Sequence, residues 1–197
     1  MDEIAPGVWR WSWFSSDKGY DFNGHLVIAG NDRALIDPPP LPEADLVQLA
    51  DGGPITAIIV TNRDHVREAE AYRKLFHAVV WAPVADVPLM ALKPDRTYQD
   101  GDTLPSGMRA IQIPGGKSPG ESALFLPRRN GIMILGDALI GVPPGRLNLM
   151  PPEKYADPNQ ARAGLRVLLG HTFEMVLVGD GTPILTDGRS AVEAFLR

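Results

Sequence analysis

Apolar residues in this chain fall into short runs separated by polar, glycine- and proline-bearing turns, and two periodicities account for most of them. Val8 to Phe14 (VWRWSWF) alternates as a strand does, with Trp9, Trp11 and Trp13 on one face and Arg10 and Ser12 on the other. His25–Ala29 and Arg33–Ile36 read as two further strands joined by a Gly30-Asn31-Asp32 hairpin turn. Pro38-Pro39-Pro40 ends that run, and Pro42–Asp51 reads as a short helix. Ile55–Val60 is continuous, apolar and β-branched, which is the pattern of a strand covered on both faces. Val66–Phe76 places Val66, Ala69, Tyr72 and Phe76 at spacings of three and four, so a helix is predicted there, followed by a strand at Ala78–Ala82.

After a polar middle section a second set of strands is predicted at Met108–Ile113, Ser122–Leu126 and Ile132–Leu135. An amphipathic helix at Gln160–Leu169, a buried strand at Met175–Val178 and a closing helix at Arg189–Leu196 complete the chain. Two halves, each mixing strands and helices, predict an α/β fold of two packed sheets covered by helices on the outside. The 197 residues suit one domain over 1–197.

Composition narrows the function classes. Hydrophobic residues at 44% and charged residues at 22% are those of a globular protein. Proline is the exception, with 19 residues against a usual ~5%, and points to a loop-rich fold. A net charge of −5, with no run of Lys or Arg longer than two, argues against nucleic acid as a partner. No stretch approaches the ~20 apolar residues of a membrane span. The N-terminus, Met1-Asp2-Glu3, does not read as a signal peptide. With no cysteine, neither a disulfide nor a thiolate ligand is available. The expectation is a cytoplasmic protein that acts on or binds a small molecule, with homo-oligomerisation through the Trp-rich strand as one use of that face.

Candidate chemistry recurs at one kind of place, the ends of apolar strands. Asp37 follows ALI, Asp64-His65 follow IIV, Asp137 follows IMILG and Asp180 follows VLVG. Each Asp taken alone is explained by turn or helix capping. Four in the same topological position point to a shared cleft at strand ends, where loops converge over a rigid sheet.

Five landmarks in this order resemble the metallo-β-lactamase superfamily of metal-dependent hydrolases, over nearly the whole chain. "ALIDPP" stands where relatives end a strand in Asp-x-Gly, and "IIVTNRDH" stands for Thr-His-x-His-x-Asp-His. "IQIPGGKSPGESALFLP" replaces a strand around Thr-Pro-Gly-His, "ILGDALI" matches the Gly-Asp strand end, and "VLVGDGTPI" stands at the late Gly-His-Gly turn. The resemblance implies a four-layer αββα sandwich of two mixed sheets covered by helices. It also implies that the metal-binding motifs are degenerate. Gly116 stands where one histidine ligand of the first metal would be, and Asp180 where the Gly-His-Gly histidine would be.

The first motif is two residues short, so two registers compete. Anchored on the helix that follows, Asp64 and His65 take the terminal Asp-His positions and Asn62 replaces a histidine. Anchored on Thr61, Asn62 and Asp64 take the two early histidines and Arg67 the last. The length from His65 to Phe76 favours the first, and neither restores the first metal site. What remains is a set of four candidate ligands for a second site, Asp64, His65, Asp137 and Asp180, with Asp64 and Asp137 also the candidate catalytic groups. Three carboxylates and one imidazole suit one divalent ion, Mn or Mg, with Zn or Fe compatible with the imidazole. Without an ion the carboxylates would repel, and at least one pKa should rise.

Two functions follow from this. One is a divergent hydrolase with at most one divalent metal, using metal-activated water on a small ester, thioester, lactone or phosphoester. The other is a catalytically inert member that serves as a binding or interaction module, holding no ion, with Arg63 or Lys117 replacing the metal charge. Arg146 and Tyr155, in the Pro-rich segment after Asp137, are candidate contacts for an anionic ligand, alongside Asn62, Arg63, Gly116 and Lys117 as residues lining the site. His25 is expected to make a structural hydrogen bond, and His77 and His171 to sit at helix ends.

Overall fold

The computed structural model describes residues 1–197. Eleven strands form two mixed sheets. The first contains β1 (Asp2–Ala5), β2 (Val8–Ser15), β3 (Tyr20–Ala29), β4 (Asp32–Ile36), β5 (Ala57–Ile59), β6 (Val79–Pro83) and β7 (Arg96–Tyr98), in that spatial order. The second has the order β11 (Met175–Val178), β10 (Ile132–Leu135), β9 (Ser122–Leu126), β8 (Arg109–Gln112). Strands β1 to β4 are antiparallel neighbours, whereas β4, β5, β6 and β7 run parallel, as do β10 and β11.

The four layers follow from which face each strand residue buries. Ile36, Ile59, Leu124, Ile134 and Leu177 meet between the two sheets. Their strand neighbours Leu35 and Ile58 turn the other way, onto Leu49 of α1 (Glu43–Asp51) and Ala69 and Tyr72 of α2 (Ala69–Phe76). Met133, Leu135, Val176 and Val178 do the same on the far side. They pack on Leu165 and Leu168, which follow α3 (Pro158–Gly164), and on Val192 and Leu196 of α4 (Gly188–Leu196). Strands buried on both faces lose the polar alternation of a half-exposed strand, which is why AII, IMIL and MVLV are apolar throughout. The result is an αββα sandwich.

Local departures from the sequence expectation have local causes. Helix α2 starts at Ala69 and not at Val66, because residues 61–68 form an irregular turn in which Arg67 takes a left-handed conformation (φ 43°). The predicted helix at Gln160–Leu169 is α-helical only to Gly164. It begins earlier, with Asp157 accepting from the backbone N–H groups of Asn159 and Gln160, and continues as a 3₁₀ helix over Leu165–Gly170. Strand β3 is longer than predicted, and β1 and β7 were not predicted. The Trp residues do not form one stripe. Trp11 is buried and donates Nε1–H to Pro39 O, Trp9 is half-buried against the same layer, and Trp13 is 42% exposed. No helix is long and apolar enough to cross a membrane.

Candidate functional site

The parallel strands β4, β5, β10 and β11 deliver their following residues to one edge of the sandwich. His65, one turn beyond β5, is the hub. It is buried, with Nδ1 2.8 Å from Asp37 Oδ2 and Nε2 3.4 Å from Asp137 Oδ1. Asp37 is itself fixed by Thr61, whose backbone N–H donates to Oδ1 (2.8 Å) and whose hydroxyl donates to Oδ2 (2.6 Å). The ring also needs room at the end of β11. A Cβ at residue 179 would stand 2.5 Å from His65 Cε1, so only glycine lets Asp180 follow that strand so closely.

Two side-chain cations enter the same space. Lys117 Nζ lies 2.7 Å from Asp137 Oδ2 and 2.9 Å from Asp64 Oδ2. Arg67, turned inward by its left-handed backbone, uses four contacts. Its guanidinium donates to Asn23 O (2.7 Å), Asp37 O (2.9 Å), Gly179 O (3.0 Å) and Asp180 Oδ1 (2.7 Å). It also lies over the Phe22 ring, 4.7 Å from its centroid. His65 and Arg67, two residues apart, both reach the centre from one irregular turn.

The loops carrying these groups are pinned by Asp86, a fully buried carboxylate the sequence reading passed over. It accepts from Arg63 N–H (2.8 Å), the Ser118 hydroxyl (2.7 Å) and Gly120 N–H (2.7 Å), which fixes the Lys117 turn against the His65 turn. Asn62 is buried and structural. Its Oδ1 accepts from the N–H groups of Asp64 (2.8 Å) and His65 (3.2 Å), and its Nδ2 donates to Glu121 Oε1 (3.2 Å).

The space beside Gly116, where a first-site histidine would stand, is taken by Glu121. A Cβ at residue 116 would lie 2.5 Å from Glu121 Cβ and 2.7 Å from its Cγ. Glu121 is fully buried, and its second oxygen, Oε2, has no hydrogen-bond partner. Burial, reinforced by the nearby Asp137 charge, pushes its carboxyl well above the usual carboxylate range and so favours the neutral acid. Its one signal in the sequence is an acid at the threshold of an apolar strand, in GESALFL.

The remaining sequence candidates lie at the rim or outside. Arg63 reaches no further than Asp64, at 3.9 Å, so it does not fill the centre. Asp64 is 43% exposed and stands apart from the group that could hold an ion. Arg146 is exposed and lines neither cavity next to the site. Tyr155 is buried, its hydroxyl accepting from Met150 N–H at 3.1 Å, which makes it part of the loop and not a ligand contact. His25 is buried with neither ring nitrogen hydrogen-bonded, contrary to the expected structural bond.

Electrostatics bind the cluster into one unit. For His65, burial and Arg67 both oppose the charged form. Asp137 and Asp37 outweigh them and push its pKa up to about 10, so the ring is an imidazolium. Asp137 goes the other way: burial would raise it, but His65 and Lys117 hold it well below the usual carboxylate range. Lys117, despite burial, is raised by Asp137 and Asp64. Asp180 is raised, chiefly by burial and with a contribution from Asp137, in spite of its contact with Arg67.

One ligand atom from each of His65, Asp137 and Asp180 lies within 4.8 Å of the others, so these three form a group that could hold a metal ion. The donor chemistry argues against an easy fit. Each carboxylate already contacts a protein cation at 2.7 Å, and His65 Nε2 faces Asp137 Oδ1 at 3.4 Å. A divalent ion within ~4 Å of one of those cations would meet a repulsion of roughly 8 kcal/mol at an effective dielectric of 20. The set does not fit a metal unless Lys117 or Arg67 moves away.

Around these groups lies a cleft of about 330 Å³, lined also by Lys18, Tyr20, Phe22, Met150 and Lys154. Its architecture has relatives of known structure. A metallo-β-lactamase from Pontibacter korlensis is similar with a TM-score of 0.81 at 17% identity, over 99% of this chain and 95% of that one. Metallo-β-lactamases from Hirschia baltica (TM-score 0.71, 16% identity, 99% and 94% covered) and Erythrobacter litoralis (0.70, 16%, 99% and 89%) share it. No curated protein sequence matches the chain. Residues 3–196 match a family model described as the metallo-beta-lactamase superfamily. With that match across almost every residue, on a sandwich of the same architecture, the chain belongs to the metallo-β-lactamase superfamily.

Proposed function

We propose that this protein is a small-ligand-binding member of its superfamily in which Lys117 and Arg67 stand in for metal charge, and that it does not hydrolyse substrates through metal-activated water. The observation that carries this reading is Lys117, whose ammonium bridges Asp137 and Asp64 at 2.7 and 2.9 Å in the cleft. Arg67 satisfies Asp180 in the same way. Four carboxylates (Asp37, Asp64, Asp137, Asp180) then meet three central cations (His65, Arg67, Lys117), with Arg63 a fourth at the rim. Such a centre is neutral without an ion, each of its cations already held against a carboxylate.

The test is the metal content of protein purified without chelator, together with melting temperatures in Mn²⁺, Zn²⁺ and Mg²⁺. Substoichiometric metal and an unmoved melting temperature are expected. Stoichiometric metal that is lost in Asp137→Ala would overturn the reading.

One observation favours a second reading. Asp37 binds His65 Nδ1, the arrangement by which a carboxylate aims the other ring nitrogen of a histidine at a metal. In that reading His65, Asp137 and Asp180 would hold one divalent ion, Mn, Fe, Zn or Mg, which would supply Lewis-acid chemistry toward a small ester, thioester, lactone or phosphoester. The same metal measurement separates the two.

A further inference from the structure

The cleft at the ion-paired centre continues outward. Lys18, Tyr20, Met150 and Lys154 line it, and the same four residues line a second cavity of about 730 Å³. The chemistry changes across that shared mouth. Beyond it the walls are apolar, formed by Ile140, Val142, Leu149 and Pro152 and by Phe195 of α4. Three cations, Lys18, Lys154 and Arg162, surround this apolar space, against the single acid Asp17.

None of the three takes part in an ion pair, although every cation in the centre itself does. Arg162 lies instead over the Phe195 ring, 4.5 Å from its centroid, extending the apolar wall with a charged edge. In a protein of net charge −5, three unpartnered cations around one apolar cavity are a local reversal of sign.

A cavity of this kind selects by two properties at once. The apolar wall rewards a chain or ring withdrawn from water, and the cations reward a negative head. A neutral polar ligand would leave the wall wetted, and a cation would be repelled. A polyanion is disfavoured by the overall negative charge.

We propose that this outer cavity binds a small amphipathic anion, a soluble carboxylate carrying an apolar chain. Its head would lie at the mouth with Lys18 and Lys154, and its body against Val142, Leu149 and Phe195. The proposal rests on the ligand-binding reading of the centre, since the head would sit where the two spaces join.

Isothermal titration of the full chain with octanoate, hexanoate, acetate and 1-octanol tests it. Saturable one-to-one binding of octanoate is expected, tightening about fourfold per methylene from hexanoate to octanoate. Acetate should not bind, and 1-octanol should bind about tenfold more weakly than octanoate and without salt dependence. Lys18→Ala/Lys154→Ala, both at exposed positions, should raise the octanoate Kd about tenfold and leave that of 1-octanol unchanged. Octanoate binding that ignores chain length or the double variant overturns the proposal. So does binding confined to vesicles containing an anionic phospholipid, which would assign the patch to a membrane surface. Stoichiometric metal with octanoate binding intact would overturn only the ion-paired centre, whereas metal-free protein that ignores octanoate would overturn only this cavity.

Discussion

Lys117 Nζ and Asp137 Oδ2 lie 2.7 Å apart, with the aspartate side chain 2% and the lysine side chain 15% exposed. Here the lysine is a counter-charge held against two carboxylates. It neutralises the carboxylate at the end of β10 and, through Asp64, ties that strand end to the turn after β5. Lys117→Met should leave Asp137 buried with only His65 as a counter-charge. A loss of about 3 kcal/mol is expected at pH 7, because breaking a buried pair strands its partner. The same change removes the charge that opposes an ion. The variant, unlike the parent, should therefore regain stability in millimolar Mn²⁺ or Zn²⁺, read as a rise in melting temperature that chelator reverses. A variant as indifferent to metal as the parent would show that Lys117 is not what keeps an ion out.

The contact between Glu121 and Gly116 makes a second prediction, about why residue 116 is glycine. Gly116→Ala drives a methyl to 2.5 Å from Glu121 Cβ, inside the turn that carries Lys117. Overpacking of this kind should cost about 2 kcal/mol. Glu121→Gly removes both offending atoms, so the double variant should lose clearly less than the sum of the two singles in a double-mutant cycle. Additive losses would mean that Gly116 is glycine for some other reason.

Glu121 also has a pH signature. Its folded carboxyl titrates well above the ordinary value of 4.5, so the folded protein keeps a proton that the unfolded chain releases. Its contribution is fully present below about pH 4.5 and is lost as pH rises from there toward the folded pKa. Glu121→Gln keeps the shape and the bond from Asn62 without the proton. Its melting temperature should match the parent near pH 4 and exceed it progressively toward pH 8. A constant difference at all pH values would show that Glu121 is not the neutral acid.

What was legible in the sequence was the part set by backbone and burial. The strands whose two faces are both covered, AII, IMIL and MVLV, were readable because both covers are apolar. The acids that follow them were readable because strand ends converge. Strands β1 and β7 were not, being short edge strands with polar residues (DEIA, RTY) and no alternation long enough to count. The centre was half legible. Asp137, Asp180, His65 and Lys117 stand out in the strand-end motifs, but Arg67 as the cation on Asp180 does not. Its role depends on a left-handed φ that a helical spacing pattern conceals, since Val66-Arg67 continue the period of α2 on paper. Glu121 was hidden because burying a lone acid depends on the tertiary surroundings and leaves little trace in local sequence.

His25 supplies the last prediction. It is 1% exposed, neither ring nitrogen has a hydrogen-bond partner, and it pairs across the ladder with Arg10. Burial is the main cause that lowers its pKa, to about 3. Arg10 and Arg67 add to the shift, and Asp37 opposes it. The folded ring is neutral throughout the physiological range. A depressed histidine pKa gives stability that is present above the unfolded value of 6.5 and is lost as pH falls from there toward about 3, at up to roughly 1.4 kcal/mol per pH unit. Replacing a ring whose polar atoms bond to nothing with an apolar side chain removes a desolvation cost and no hydrogen bond. His25→Leu should therefore be neutral or stabilising at pH 7. Between pH 6 and pH 4 it should lose less stability than the parent, as measured by urea unfolding at each pH. The acid limb due to carboxylates such as Asp137 should persist in both proteins, so the difference between the two curves isolates His25. Parallel curves would mean that His25 is solvated or partnered in solution, and a large loss at pH 7 would mean that its ring nitrogens hold the β2–β3 pair together.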